Sequence, residues 1–116
     1  QTNQINSNTF RSFLRLLELH YRESKDVNFY AYQLFMSARN LNNITQKVLH
    51  QSVSEIIETR KLTAAKNLLT TTDLSISEIG YELGYKENTY FTHAFKKKTG
   101  ITPSEFRVQM RALLNG

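Results

Sequence analysis

The sequence predicts an all-α protein of about seven helices, with little or no sheet. Its 116 residues include 1 Pro and 4 Gly, so few positions interrupt a helix. Apolar residues recur at three- and four-residue steps in "TFRSFLRLLELHYRES" and "VSEIIETRKLTAAKNLLTTT", which is the spacing of a buried helix face. Three Ser/Thr-x-x-Glu sequences mark helix starts.

The elements are predicted in order along the chain. Residues 1–8 are polar and aperiodic, and we expect a disordered or linker tail there. The first helix is predicted from about Thr9 to Glu23, with an apolar stripe made of Phe10, Phe13, Leu14, Leu17 and Tyr21. Further helices are predicted near residues 28–35, 38–49, 53–70, 76–83, 87–98 and 103–114.

Start and stop signals support these boundaries. A helix leaves its first N–H groups without partners, and a Ser/Thr-x-x-Glu box satisfies two of them. The boxes run from Ser52 to Glu55, from Ser75 to Glu78 and from Thr102 to Glu105. Pro103 fits the first position of a helix, where its missing N–H costs nothing, and Gly100 is suited to end the preceding helix.

Composition excludes several classes of protein. The chain has no Cys, so disulfides, thiolate metal sites and cysteine nucleophiles are excluded. His20, His50 and His93 lie on three different predicted helices without paired carboxylates, so we expect no enzyme, no metal site and no cofactor. No apolar run reaches the roughly 18 residues of a membrane helix, so we expect a soluble, intracellular protein without membrane contact.

Charge and the first residue add two expectations. The formal net charge of +5 favours an anionic partner. The sequence starts with Gln and not with Met, so we expect it to be a piece of a longer protein.

The chain contains a weak internal repeat. With a shift of 50 residues, "SVSEI" at 52–56 falls on "TPSEF" at 102–106, and Leu41 falls on Phe91. With a shift of 49, Leu34 falls on Leu83 and Ala31 on Gly80, so the second copy has one extra residue in its turn. Each copy therefore reads as a short helix, a tight turn and a second helix, which is a helix-turn-helix unit.

The second helix of the second copy has an apolar and a polar face. We expect Tyr90, Phe91 and Phe95 to anchor it. Asn pairs with adenine and Thr bonds to several bases in the major groove, so the other face is predicted to read bases through Asn88, Thr89, Thr92 and His93. Phosphate contacts are predicted at both ends of the helix from Lys86, Lys96 and Lys97. A solvated face remains the alternative.

The first copy offers a similar face with different residues. Its predicted base-reading residues are Arg39, Asn42, Asn43 and Gln46, and Arg39 can form a bidentate pair with guanine. Ser37 is placed to cap the helix or to bind a phosphate at its N-terminus, and Lys47 is a further predicted phosphate contact.

The segment "SISEIGYELGYKENTYFTHAFKKKTGITPSEFR" resembles the second-unit signature of the AraC/XylS family of bacterial transcription regulators. It matches an Ile followed by a Gly-aromatic turn, a Tyr-Phe pair, Phe-Lys-Lys, Gly, and Thr-Pro-Ser-x-Phe-Arg. "FYAYQLFMSARNLNNITQKV" and "SEIIETRKLTAAKNLL" resemble the family's first unit and linker helix. The resemblance covers about residues 9–110.

The resemblance implies sequence-specific binding of double-stranded DNA by two recognition helices in successive major grooves. It implies a first helix-turn-helix subdomain at 9–52, a linker helix at 53–70 and a second subdomain at 71–116. It also implies a transcription activator of the bacterial cytoplasm, associated with the nucleoid. The implied partners are RNA polymerase and an N-terminal ligand-binding or dimerisation domain.

Four residues depart from the family pattern. Gly80 stands where Ala is usual, Lys86 where a small capping residue is usual, and Phe35 and His50 where Gly is common. The remaining alternative is a basic helical protein-interaction module that docks an acidic partner. A DNA-binding protein loses affinity steeply with salt and prefers a particular sequence, whereas the interaction module would have no preference among DNA sequences.

Overall fold

A computed structural model describes residues 2–115, and within them every regular element is a helix. The elements are α1 (Thr2–His20), a 3₁₀ helix (Tyr21–Glu23), α2 (Val27–Gln33), α3 (Ala38–Leu49), α4 (Val53–Thr71), α5 (Ile76–Glu82), α6 (Asn88–Thr99) and α7 (Pro103–Asn115). The predicted all-α fold of about seven helices is confirmed. The chain forms two compact units, Gln1–Arg60 and Lys61–Gly116, and the division falls inside α4.

The first helix starts earlier than predicted. It begins at Thr2, so residues 2–8 are helical where we expected a tail, and Gln1 lies outside the described residues. This segment contains no Gly or Pro to interrupt a helix that is fixed further along by packing. Gln4 Nε2 donates to Asn8 Oδ1 at 3.5 Å, one helical turn away. Local polarity alone was therefore a poor guide to where the helix begins.

The core of the first unit is built around Phe13, Tyr30 and Leu41, which are fully buried. The rings of Phe13 and Tyr30 meet edge to face, with 5.4 Å between centroids. Leu14, which belongs to the predicted apolar stripe, is 38% exposed, so the buried stripe of α1 is narrower than predicted.

Arg60 fastens the first half of α4 to α1. Its guanidinium forms two hydrogen bonds with the Glu18 carboxylate and lies over the Tyr21 ring, 4.2 Å from the ring centroid. The hydrogen bond from Arg60 lowers the pKa of Glu18 below its ordinary value. The Arg60 pair therefore links the two helices within the first unit.

A chain of aromatic rings forms the core of the second unit. The centroid of Phe91 lies 5.5 Å from that of Tyr85 and 6.1 Å from that of Phe95, and Phe95 lies 5.5 Å from Phe106. A Cβ atom added to Gly80 would lie 3.1 Å from Phe91 Cβ. The glycine therefore lets α5 and α6 approach closely.

Arginines of α7 cover the C-terminal end of α4. Arg107 Nε donates to the carbonyl oxygen of Leu69 at 3.0 Å, and a terminal nitrogen of Arg111 donates to that of Thr72 at 3.2 Å. The last carbonyl groups of a helix lack partners within the helix. These side chains supply partners and join α7 to α4 within the second unit.

The predicted repeat is present in the backbone of the turns. The N–H of Met36 donates to the carbonyl oxygen of Ala31, and 49 residues later the N–H of Tyr85 donates to that of Gly80, both at 3.0 Å. Phe35 and Gly84 occupy the same place in the two turns, with φ of 58° and 85°. The turn geometry is thus kept although the first copy uses a phenylalanine.

The three predicted capping boxes are formed. In each box the Ser or Thr oxygen accepts from the backbone N–H of the Glu, and the Glu carboxylate accepts from the backbone N–H of the Ser or Thr. Gly100 ends α6 with φ of 87°, as predicted, and His50 ends α3 in the same left-handed region with φ of 58°. The starts of α4, α5 and α7 and the ends of α3 and α6 therefore follow from local chemistry.

Candidate nucleic-acid interface

Helix α3 presents a polar outer face in the first unit. Leu41 and Thr45 are buried on its inner side. Of the residues predicted to contact DNA, the exposed ones are Arg39, Asn43, Gln46 and Lys47. Positions i, i+4 and i+7 or i+8 lie on one side of a helix, so Arg39, Asn43 and Gln46 or Lys47 share a face. This face offers one planar guanidinium, two carboxamides and an ammonium to a partner.

Asn42 differs from the other predicted base-reading residues of α3. Its side chain is half-buried, and its Oδ1 accepts a hydrogen bond from the backbone N–H of Val53 at 2.9 Å. A bidentate contact with adenine needs both the oxygen and the nitrogen of the carboxamide. Because the oxygen also holds the start of α4, Asn42 has a structural role beside the base-reading role that the sequence predicts for it.

Ser37 caps α3, as the sequence predicted. Its Oγ accepts from the backbone N–H of Asn40 at 3.1 Å. A serine hydroxyl that accepts one hydrogen bond can still donate its own proton. The phosphate contact predicted for Ser37 is therefore compatible with its capping role.

Helix α6 presents the corresponding face in the second unit. Phe91 and Phe95 are buried, whereas Asn88, Thr89 and His93 are exposed and Thr92 is half-buried. Lys96, Lys97 and Lys98 occupy the last turn, where positive charge interacts favourably with the helix dipole. Lys86 is exposed two residues before the helix begins. The predicted lysines thus lie at both ends of the polar face.

The start of α6 departs from that of α3. Its N-cap is Glu87, which makes no side-chain capping hydrogen bond, and Lys86 is the residue before it. The extra residue predicted for the second copy is located here, between the turn at Gly84 and the first turn of α6. The N-terminus of α6 is therefore fixed mainly by packing, whereas Ser37 fixes that of α3.

Sequence reasoning missed two exposed residues on these faces. Tyr90 was expected to anchor α6, but its side chain is 58% exposed, so this prediction is wrong. Its repeat equivalent on α3, Asn40, is also exposed. Neighbouring helix residues point about 100° apart, so Tyr90 cannot share the inward direction of Phe91 and Phe95. The helical spacing of the sequence therefore already indicates that Tyr90 is not buried with them.

Other kinds of site receive no support from the described residues. Residues 2–115 contain no group of three or more His, Cys, Asp or Glu side chains that could hold a metal ion. None of their helices combines the length and the apolar character needed to cross a bilayer.

Two comparisons with known proteins identify the family. The helix-turn-helix domain family HTH_18 matches residues 30–109, which include the second half of α2, all of α3 to α6 and the first half of α7. The arabinose operon regulatory protein of Escherichia coli (strain K12) is 31% identical over 109 residues, which are 93% of this chain and 37% of that protein. The chain belongs to the AraC-type helix-turn-helix family of DNA-binding transcription regulators. It spans little more than a third of this AraC-type relative.

Solved AraC-type structures share the fold. A transcriptional regulator from Chromobacterium violaceum, described as an AraC-type DNA-binding domain-containing protein, has a TM-score of 0.82 and 26% identity, with 90% of this chain and 93% of that chain covered. The DNA-binding domain of AdpA in complex with a target DNA has a TM-score of 0.82 and 22% identity, covering 88% of this chain and 92% of that chain. The AraC-type family also confirms the prediction that the domain is not an enzyme.

Proposed function

We propose that this domain binds specific double-stranded DNA through α3 and α6, each in a major groove, and thereby regulates transcription. The observation that carries the proposal is the repetition of one arrangement. In both units, the same backbone turn leads into a 12-residue helix whose outer face is polar and basic and whose inner face is buried. A helix with such a face fits the major groove of B-DNA.

The side chains divide by chemistry into two groups. Guanidinium, carboxamide, hydroxyl and imidazole groups can read base edges, and we assign this role to Arg39, Asn43, Gln46, Asn88, Thr89, Thr92 and His93. Ammonium and hydroxyl groups can hold phosphates, and we assign this role to Ser37, Lys47, Lys86, Lys96 and Lys97. Asn42 is assigned the structural role described above.

The length of α4 supports binding to two successive grooves. Its 19 residues are about 28 Å long at 1.5 Å per residue. One turn of DNA separates neighbouring major-groove faces by about 34 Å. The two lengths are comparable, which supports the proposal that a single chain reads both grooves without forming a dimer.

Family membership supports the wider role. We propose that the protein acts as a transcription activator that contacts RNA polymerase, in the bacterial cytoplasm at the nucleoid. We further propose that a ligand-binding or dimerisation domain accompanies this one in the full-length protein; the E. coli relative, of which the match covers 37%, has room for such a domain, which supports the proposal.

Selection of bound duplexes from a random DNA pool tests the proposal. The expected result is an enriched motif with two parts about 10 base pairs apart, one for each helix. Binding to the enriched duplex should weaken steeply as salt is raised. A pool that stays random after repeated rounds would contradict the proposal and would favour a module that docks an acidic protein.

A further inference from the structure

Lys61, the first residue of the second unit, is a buried lysine. It lies on α4, its side chain is only 7% exposed, and its Nζ lies 4.7 Å from the centroid of the Tyr85 ring. Lysine is rarely buried unless its charge has a partner, and an aromatic face is such a partner. In a basic DNA-binding domain an arginine or lysine is first considered as a phosphate contact, but this lysine is buried and its ammonium lies over the Tyr85 ring.

Tyr85 connects Lys61 to the recognition helix α6. The backbone N–H of Tyr85 donates to the carbonyl oxygen of Gly80 at 3.0 Å, which closes the turn between α5 and α6. The Tyr85 ring packs on Phe91, which in turn lies close to Gly80. Phe91 is thus held between the glycine and the tyrosine, so a shift of the Tyr85 ring would move α6.

The start of α6 depends on this packing. Glu87 provides no side-chain cap for α6, whereas Ser37 caps α3. At the position of Tyr85 the first copy has Met36, which has no aromatic face to hold a cation. The contact between the Lys61 ammonium and the Tyr85 ring is therefore specific to the second unit. It lies next to the start of α6, where that unit lacks a side-chain cap.

We propose that Lys61 is a positioning residue for DNA recognition by α6. The ammonium holds the Tyr85 ring, the ring holds Phe91, and α6 keeps the position from which its polar face meets the bases. Lys61 itself touches no DNA. This inference rests on the DNA-binding function proposed above and adds a residue that lies outside the polar face.

The test compares Lys61→Met with Lys97→Met on the selected duplex and on random DNA over a range of salt concentrations. Lys61→Met keeps the length of the side chain and removes its charge. Its dissociation constant on the selected duplex should rise roughly three- to thirtyfold, the range expected for losing a buried cation–π contact. The salt slope should stay at the wild-type value, whereas Lys97→Met should reduce it by about 0.9.

Two further variants separate positioning from charge. Lys61→Arg retains a cation over the ring and should bind nearly as the wild type does. Tyr85→Leu should weaken binding about as much as Lys61→Met, and the double variant should be little weaker than either one, because both act through the same contact. A reduced salt slope for Lys61→Met would show that Lys61 contacts a phosphate and would overturn the proposal.

Stability needs its own control. Ile79→Val removes one methylene from the core of the second unit and leaves the Lys61 and Tyr85 side chains unchanged in sequence. Binding is measured at a temperature where all variants are folded. If Lys61→Met binds as tightly as Ile79→Val under these conditions, Lys61 serves stability alone and the proposal is wrong.

Amide hydrogen exchange of the free domain tests the positioning without DNA. The Tyr85 N–H should exchange faster in Lys61→Met than in the wild type or in Ile79→Val. An unchanged rate would count against the proposal even if no duplex were selected. If the wild-type domain selects no DNA sequence, the proposed function is wrong. The exchange rate of the Tyr85 N–H then still shows whether Lys61 orders the turn.

Discussion

The carboxamide oxygen of Asn42 accepts a hydrogen bond from the backbone N–H of Val53 at 2.9 Å. Val53 is the first residue of α4, and a helix provides no internal partner for that N–H. At the repeat-equivalent position α7 starts with Pro103, which has no N–H, and Thr92 stands where Asn42 stands in the first copy. The second unit therefore has no need of such a bond, and Thr92 is available for another contact.

Replacement of these two equivalent residues should have different effects. Asn42→Ala leaves the Val53 N–H without its partner and should lower the free energy of unfolding by about 1–2 kcal/mol. Thr92→Ala should change stability less and should alter the DNA sequence that is preferred. Denaturant unfolding and selection from a random DNA pool measure the two effects. Equal losses of stability in both variants would contradict the assignment.

Arg39→Ala should relax sequence specificity. If the guanidinium forms a bidentate pair with guanine, its loss weakens the selected duplex by about 1–3 kcal/mol and leaves random DNA much less affected. Competition binding with duplexes that vary one base pair at a time locates the affected position. Arg11→Ala, an exposed arginine on α1, is the control for loss of charge. A similar loss on specific and random DNA would mean that Arg39 contacts only the backbone.

Lys97→Ala should weaken binding to all DNA sequences alike. Each phosphate contact releases counterions, so losing one should reduce the slope of log affinity against log salt by about 0.9. Titrations of the selected duplex and of random DNA at several salt concentrations provide both slopes. A loss confined to the selected duplex would show instead that Lys97 reads a base.

Substitutions at His50 and Gly100, the left-handed residues that end α3 and α6, should have opposite effects on stability. His50 has φ of 58°, which strains a residue with a Cβ atom, so His50→Gly should raise the free energy of unfolding by about 1 kcal/mol. Gly100 has φ of 87° and nothing within 4 Å of an added Cβ, so Gly100→Ala should lower it by about 1 kcal/mol through backbone strain alone. Thermal unfolding of both variants tests the pair, and a stabilising Gly100→Ala is the result that would refute it.

The capping box at the start of α7 should make stability depend on pH. The backbone N–H of Thr102 donates to Glu105 and lowers the pKa of its carboxyl below 4.5. A carboxyl whose pKa is lower in the folded state stabilises the fold above its unfolded pKa, and this contribution is lost as pH falls through the folded pKa. The stability advantage of the wild type over Glu105→Gln should therefore shrink as pH drops below 4.5. An advantage independent of pH would rule out the charge as its source.

Most of the fold could be predicted because its signals are local. Capping boxes, Pro103 and Gly100 act on their own turn of backbone, so the starts of α4, α5 and α7 and the end of α6 follow directly from the sequence. A few equivalent residues were enough to predict the repeat. The same backbone hydrogen bonds close the turn in both copies.

The features that the sequence did not reveal depend on contacts between residues distant in sequence. The bond between Asn42 and Val53 joins residues 11 positions apart, and nothing in the pattern of α3 distinguishes Asn42 from Asn43. Lys61 likewise looks like any other lysine of α4 until the fold brings it to Tyr85. The base-reading assignments stay predictions, and binding to single-base variants of the selected duplex tests them.

Helix α4 limits how the protein can be dissected. A cut after Arg60, where the two units divide, would leave residues 53–60 on one fragment and 61–71 on the other. Both pieces are shorter than the roughly 12–15 residues that an isolated helix needs even to be marginally stable in water. Separate expression of the two recognition units therefore calls for overlapping fragments that each include all of Val53–Thr71.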